Sequence, residues 1–169
     1  MKRLWAPWRS KYVESIGESS ECFLCEAVKQ PEERLRDYLV LYKGKRAFVI
    51  FNKYPYNPGH LMVAPIDHTG DYTLLDEDTA LEMHKLVRVC LLALRRALNP
   101  HGFNLGFNLG RSAGAGLETH IHLHIVPRWN GDTNFMSTLA ETRVISQDLW
   151  EMYDRIRPIF FDILHAAEG

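Results

Sequence analysis

A chain of 169 residues with 46% hydrophobic and 24% charged residues is sized for one core and composed like an ordinary globule, which excludes a disordered or fibrous chain. The formal net charge of -1 gives no bulk attraction for nucleic acid, although a small nucleotide needs only local donors. No apolar run approaches the ~18 residues of a membrane span, and the opening MKRLWAPWRSKYV lacks a signal-length apolar stretch, so the expected setting is the cytoplasm, without a membrane partner.

Residues 1–20 lack clean periodicity and read as an arm whose tryptophans pack on the body or on a partner. Cys22 and Cys25 follow as Cys-Phe-Leu-Cys. With three cysteines in the chain there is no disulfide framework, and the close pair leaves metal and redox chemistry both open. A short helix is expected from near Cys25 to just before Pro31. DYLVLY (37–42) and RAFVIF (46–51) predict two strands separated by Lys43-Gly44, and HLMVAP (60–65) predicts a third. Between them NKYPYNPG (52–59), with its prolines and glycine, predicts an ordered loop. In 78–98, Leu81, Leu86, Val87, Cys90, Leu91, Leu94 and Leu98 recur at helical spacing until Asn99-Pro100 stops the helix. Cys90 is assigned to its core. Residues 103–110 are strand-like, 111–116 form a loop and 119–126 a strand. A last helix is expected from a Ser146 cap towards Ala167, bent at Pro158. Short links between consecutive strands favour an antiparallel sheet covered on one face by helix, an α+β fold in one domain.

The stretch ETHIHLHIVPR (118–128) alternates His120, His122 and His124 with Ile121, Leu123 and Ile125. Along a strand the aliphatic members face one way and the histidines the other. The outer histidines stand about 13 Å apart along the backbone, whereas zinc lies about 2 Å from an imidazole nitrogen. One ion can serve neighbouring members but not all three, so the row divides its tasks. A neutral imidazole is a nucleophile or a base near neutral pH. Just ahead lies NLGRSAGAG (108–116), with Asn108, Gly110, Ser112, Gly114 and Gly116. Glycines let the backbone approach a ligand and turn its N–H groups towards an anion. The loop lacks G-x-x-x-x-G-K-[ST] and is therefore not a P-loop.

HIHLHIV (120–126) resembles the H-φ-H-φ-H-φ-φ signature, φ being hydrophobic, of the histidine triad (HIT) superfamily. The glycine-rich loop after Asn108, the segment GHLMVAPIDH (59–68) and the early Cys-x-x-Cys are similar too. PRWNGDTNFM (127–136) with RLWAPWRSKYV (3–13) resembles the branch containing diadenosine-tetraphosphate phosphorylases. The resemblance implies a HIT-like antiparallel sheet of about five strands, with a long helix on one face and a C-terminal helix. It divides the chain into an arm (1–20), a HIT domain (21–136) and a helical extension packed on that domain (137–169).

The same resemblance implies nucleotidyl transfer or hydrolysis at the α-phosphate of a dinucleoside polyphosphate, with water or inorganic phosphate as acceptor. His122 would be the nucleophile that forms a nucleotidyl-histidine, its other ring nitrogen giving a proton to a backbone carbonyl. His124 and Asn108 would hold the phosphate, with His60 nearby and Asn52 at the ribose. Apolar residues around Phe48 and Phe51 would hold the base, Phe51 being the expected contact, although periodicity does not choose their face. Ser112, Gly114 and Gly116 complete the phosphate loop. Many relatives carry Gln and a small hydroxyl residue where this chain has Gly116 and Leu117, so the Gly116 N–H or Ser112 is the expected replacement. The resemblance also completes a structural zinc site, Cys22, Cys25, His68 and His120, which frees His122 and His124 for phosphate.

A homodimer through the long helix and a neighbouring strand is implied as well. The alternatives are an adenosine phosphoramidate or general nucleotide hydrolase, a non-catalytic nucleotide sensor and a zinc-stabilised interaction module. His84, His101 and His165 are assigned to surface or packing. Arg128 reads equally as a distal-phosphate contact or a structural residue, and Trp129 as a nucleotide contact or a subunit-boundary residue.

Overall fold

Met83, Leu86, Val87, Cys90, Ala93, Leu94 and Ala97 recur at three- and four-residue steps and are all buried, which gives one helix a single apolar stripe. The computed structural model that places them describes residues 22–132 and 148–168. The proposed arm, residues 133–147 and the Ser146 cap lie outside the described residues. In chain order the elements are α1 (Phe23–Val28), β1 (Val40–Lys43), β2 (Ala47–Phe51), β3 (Leu61–Pro65), α2 (Glu77–Leu98), β4 (Gly102–Phe107), β5 (Leu123–Arg128) and α3 (Leu149–Glu168). Among the described residues the five strands form one antiparallel sheet in the order β1-β2-β3-β5-β4. This is the expected α+β fold.

Local chemistry sets the boundaries. Asp76 caps α2 by accepting hydrogen bonds from the Thr79 amide and hydroxyl, and Asn99 closes it in the left-handed conformation with φ 48°. Asp148 accepts from the amides of Trp150 and Glu151, so it caps α3. That helix continues through Pro158 as one element. β1 starts three residues later than the apolar run suggests, because Leu39 has φ 62° and residues 35–39 are turns. Leu81, assigned to the apolar stripe of α2, is exposed.

Directly paired residues of antiparallel strands share a sheet face. Phe51 pairs with Leu61 and Leu61 with Ile125, which puts all three on the face covered by helices. There the Phe51 ring lies 5.9 Å from Tyr153 of α3, and Tyr42 lies 5.6 Å from Phe160. α2 packs against β2, β3 and β5 and carries α3 beside it. Ile50 pairs with Met62 and Met62 with His124, on the opposite face.

Gly59 joins the prolyl loop to β3 at φ 75°, and a Cβ there would lie 2.5 Å from Leu98 Cδ1 and 3.1 Å from Leu94 Cδ2. Gly59→Ala therefore adds left-handed strain to overpacking against α2. The expected loss is about 2–4 kcal/mol, read as a lower denaturation midpoint with unchanged slope. An unchanged midpoint would contradict this packing.

Candidate active site and metal centre

β5 begins at Leu123, so His120 and His122 precede the ladder and only His124 lies within it. The approach is tied down from the side: the Ile121 amide donates to Thr69 O at 2.8 Å and the His120 ring donates through Nε2 to Pro65 O at 2.8 Å. All three histidines are buried.

The hydrogen bonds assign the ring protons. His122 Nδ1 lies 2.9 Å from His120 O, and a carbonyl only accepts, so Nδ1 carries the proton and Nε2 the lone pair. Burial lowers the proton affinity of His122 and the bond to His120 O opposes this less strongly, so the ring is held below the ordinary imidazole range. Its edge meets the His124 ring with centroids 4.8 Å apart.

A second chain of contacts fixes His124. The Tyr56 amide donates to His60 Nδ1 at 3.1 Å. His60 therefore has its proton on Nε2, which lies 2.9 Å from His124 Nδ1 and donates to it. The proton of His124 is left on Nε2, 3.5 Å from Asn108 Nδ2, so the two groups present N–H donors side by side and do not bond each other. An acceptor entering at that point meets an N–H, whereas beside it His122 offers a lone pair. The Tyr56 ring lies over both His60 and His124, with centroids at 4.8 and 5.9 Å.

Asn52 is buried under the same loop. Its Oδ1 accepts from the Tyr54 amide at 2.9 Å, which orients its Nδ2 towards His60 Nδ1 at 3.4 Å. One lone pair of this amide is thereby used by the Tyr54 N–H and one of its own N–H groups by His60. Phe51, expected at the base, instead packs on Tyr153 in the helix-covered face, opposite to His124. In the loop Gly110 and Gly114 have φ 78° and 88°, which justifies glycine at both. The Gly114 amide closes a turn on Arg111 O at 2.9 Å, so the residue contributes conformation more than a donor. Ser112 is exposed on a single 3-10 turn (Arg111–Ala113) and Gly116 is half-buried.

The sequence left Arg128 between two roles, and it is clamped: Nε and Nη2 reach Asp132 at 2.6 and 2.9 Å, and Nη1 reaches Asn104 Oδ1 at 2.6 Å. Asp132 also accepts from Trp129 N and from buried Asn57, whose carbonyl receives the His60 amide. Tyr56, Asn57, Pro65 and Asp132 thus support the histidines without a sequence signal of their own. His101 accepts from the Asn130 amide, and His84 and His165 are exposed.

Cys22, Cys25, His68 and His120 form the one metal-competent cluster among the described residues, their ligand atoms lying within 4.8 Å of one another. His120 donates through Nε2 to Pro65 O, so its Nδ1 lone pair faces Cys22 Sγ at 3.3 Å and Cys25 Sγ at 3.4 Å. His68 Nδ1 lies 3.2 Å from Cys25 Sγ. Metal–ligand bonds of 2.0–2.3 Å arranged tetrahedrally give edges of about 3.3–3.8 Å, close to the three sulfur–nitrogen contacts of 3.2–3.4 Å, while the other ligand pairs lie within 4.8 Å. Burial, then the hydrogen bond and charge of Cys22, push the Cys25 thiol up to about 11. Ionising two adjacent thiols therefore needs a cation between them, and the donor set fits a divalent ion. Burial also lowers His120, with the Pro65 bond opposing, which keeps its ring neutral for ligation.

The comparisons with known proteins agree with this geometry. The HIT domain family matches residues 34–131. An AP-4-A phosphorylase of Mycobacterium tuberculosis is 35% identical over 87% of this chain and 78% of its own length. Among solved structures, a zinc-bound histidine triad family protein of Mycobacterium smegmatis superposes with a TM-score of 0.67 at 27% identity, over 86% of this chain and 97% of that one. A hypothetical histidine triad nucleotide-binding protein of Sulfolobus tokodaii gives 0.64 at 29% identity, over 87% and 94%. Its buried histidine row, its fold and these likenesses together make the chain a member of the histidine triad, or HIT, family.

Proposed function

We propose that the protein transfers a nucleotidyl group from the α-phosphate of a dinucleoside polyphosphate, of the diadenosine tetraphosphate kind, to inorganic phosphate or water. The tautomer of His122 carries the reading: its Nδ1 proton is committed to His120 O at 2.9 Å, which leaves the Nε2 lone pair for phosphorus. That nitrogen forms an N–P bond as the bond from phosphorus to the bridging oxygen breaks, and the leaving polyphosphate takes the electron pair. The His124 Nε2–H and the Asn108 amide stabilise charge on the non-bridging oxygens, in a pocket whose donors need no reorganisation. An acceptor oxygen then forms a new P–O bond as N–P breaks. Water yields the nucleoside monophosphate and phosphate yields the diphosphate.

The likeness to the mycobacterial AP-4-A phosphorylase supports phosphate as acceptor. The remaining N–H and lone pair of Asn52 suit a ribose hydroxyl. Zinc on Cys22, Cys25, His68 and His120 belongs to the same reading. When bound it supplies a fixed charge at a closed four-ligand site, with no open position for substrate.

Purified protein incubated with diadenosine tetraphosphate, with and without phosphate, tests this by chromatography of the products. ADP and ATP are expected with phosphate, and AMP and ATP without it. Equal AMP in both would remove phosphate as acceptor. Cleavage of an adenosine phosphoramidate alone would move the substrate class to phosphoramidates, and tight binding of several nucleotides without turnover would make the protein a sensor.

A further inference from the structure

The glycine-rich loop is stapled by an ion pair whose ends flank the reacting groups. Arg111 lies three residues after Asn108, and Glu118 lies four residues before His122. Arg111 Nε meets Glu118 Oε1 at 2.6 Å, with side chains 85% and 40% exposed. Chain length alone keeps the Arg111 backbone within about 11 Å of Asn108, whose amide faces His124. The pair uses one edge donor of a guanidinium that has five N–H groups, and among the described residues Nη1 and Nη2 have no hydrogen-bond partner. An exposed pair of this kind is held weakly and is readily exchanged for a stronger anion. Phosphate is such an anion, since it accepts two parallel N–H bonds from the guanidinium fork.

We propose that Arg111 is a specificity residue that leaves Glu118 to bind the distal phosphates of a polyphosphate chain, with Glu118 as the competing anion that holds it in the empty site. The inference rests on the nucleotidyl-transfer reading above and adds which substrates the site prefers. A ligand with a single phosphate ends at His124 and Asn108 and leaves the pair closed. A ligand with further phosphates extends past Asn108, where Glu118 alone would repel it and a released Arg111 attracts it. Selection between short and long phosphate chains then depends on two side chains that touch neither the nucleoside nor the α-phosphate.

The two partners should act in opposite directions, which a loop staple alone would not produce. Equilibrium affinities for AMP and diadenosine tetraphosphate are measured on the full chain carrying His122→Ala, so that both ligands stay intact, with Arg111→Ala, Arg111→Lys or Glu118→Gln added. Arg111→Ala is expected to lower the preference for the tetraphosphate about tenfold and to leave AMP within about twofold. Arg111→Lys should restore part of it, since it keeps the charge without the fork. Glu118→Gln should raise the preference, because it removes the competitor. Equal weakening of both ligands by Arg111→Ala, or a loss of preference with Glu118→Gln, overturns the inference and leaves the nucleotidyl-transfer reading intact. Absence of binding by either ligand to the parent overturns both.

Discussion

His122→Ala should lower turnover of diadenosine tetraphosphate by at least about 10³-fold, the scale of losing a nucleophile, while AMP affinity stays within about threefold. The two effects separate because of how the pocket is built. In the proposed mechanism the alanine removes the attacking nitrogen, but the proposed donors at the phosphate belong to other residues: His124 is held by His60, and His60 by the Tyr56 amide. None of those bonds passes through the His122 ring. Acid quenching of a labelled reaction should capture a nucleotidyl adduct on the parent chain and none on the variant, since a phosphoramidate to histidine survives only briefly in acid and must be trapped quickly. Parental turnover by the variant would exclude His122 as the nucleophile. Loss of AMP binding together with turnover would show that its ring also holds the pocket together.

Much of this site is readable in the sequence because the motif places its own partners. His122 finds its proton acceptor two residues away in His120 O, and the four metal-competent side chains sit where the family pattern expects them. Other parts need the tertiary structure. β2 is apolar at all five positions and buried at all five, so no alternation distinguishes its faces, and only the register with β3 turns Phe51 towards Tyr153 and away from the histidines. The alternation from 119 to 126 looks like one strand, yet its first half is held by side-chain and backbone bonds to Pro65 and Thr69 and makes no ladder. Tyr56 fixes a tautomer through its backbone amide, a group every residue but proline possesses, and no side-chain pattern can announce it. Asp132 is equally silent: an acidic residue after a strand says nothing of the arginine and the buried amide that meet it.

Cys22→Ala is expected to cost the protein the zinc proposed above, much of its stability and the proposed activity together, although the proposed attack on phosphorus falls to His122, which is not one of the four clustered residues. The link is His120. Its Nδ1 faces both thiols, its Nε2 donates to Pro65 O and its carbonyl holds the Nδ1 proton of His122, so one residue joins the metal-competent cluster to the proposed nucleophile. With Cys22 removed, the ring keeps the Pro65 bond but has only the Cys25 contact on its other side, which loosens the carbonyl against which His122 is aligned. Loss of a structural metal belongs among the large single-residue effects, about 4 kcal/mol, which corresponds to roughly 10 °C in the unfolding midpoint for a chain of this size. Metal analysis should give about one zinc per parent chain and none for the variant. His68→Ala separates the parts of the effect, since His68 is exposed and makes its ligand contact with Cys25: it should weaken zinc retention while leaving the His120 contacts with Pro65 and His122 in place, so that activity returns when zinc is added in excess. A fully folded, active and metal-free parent chain would rule out zinc as a structural part of the protein and return Cys22 and Cys25 to redox chemistry, the other chemistry that their spacing allows.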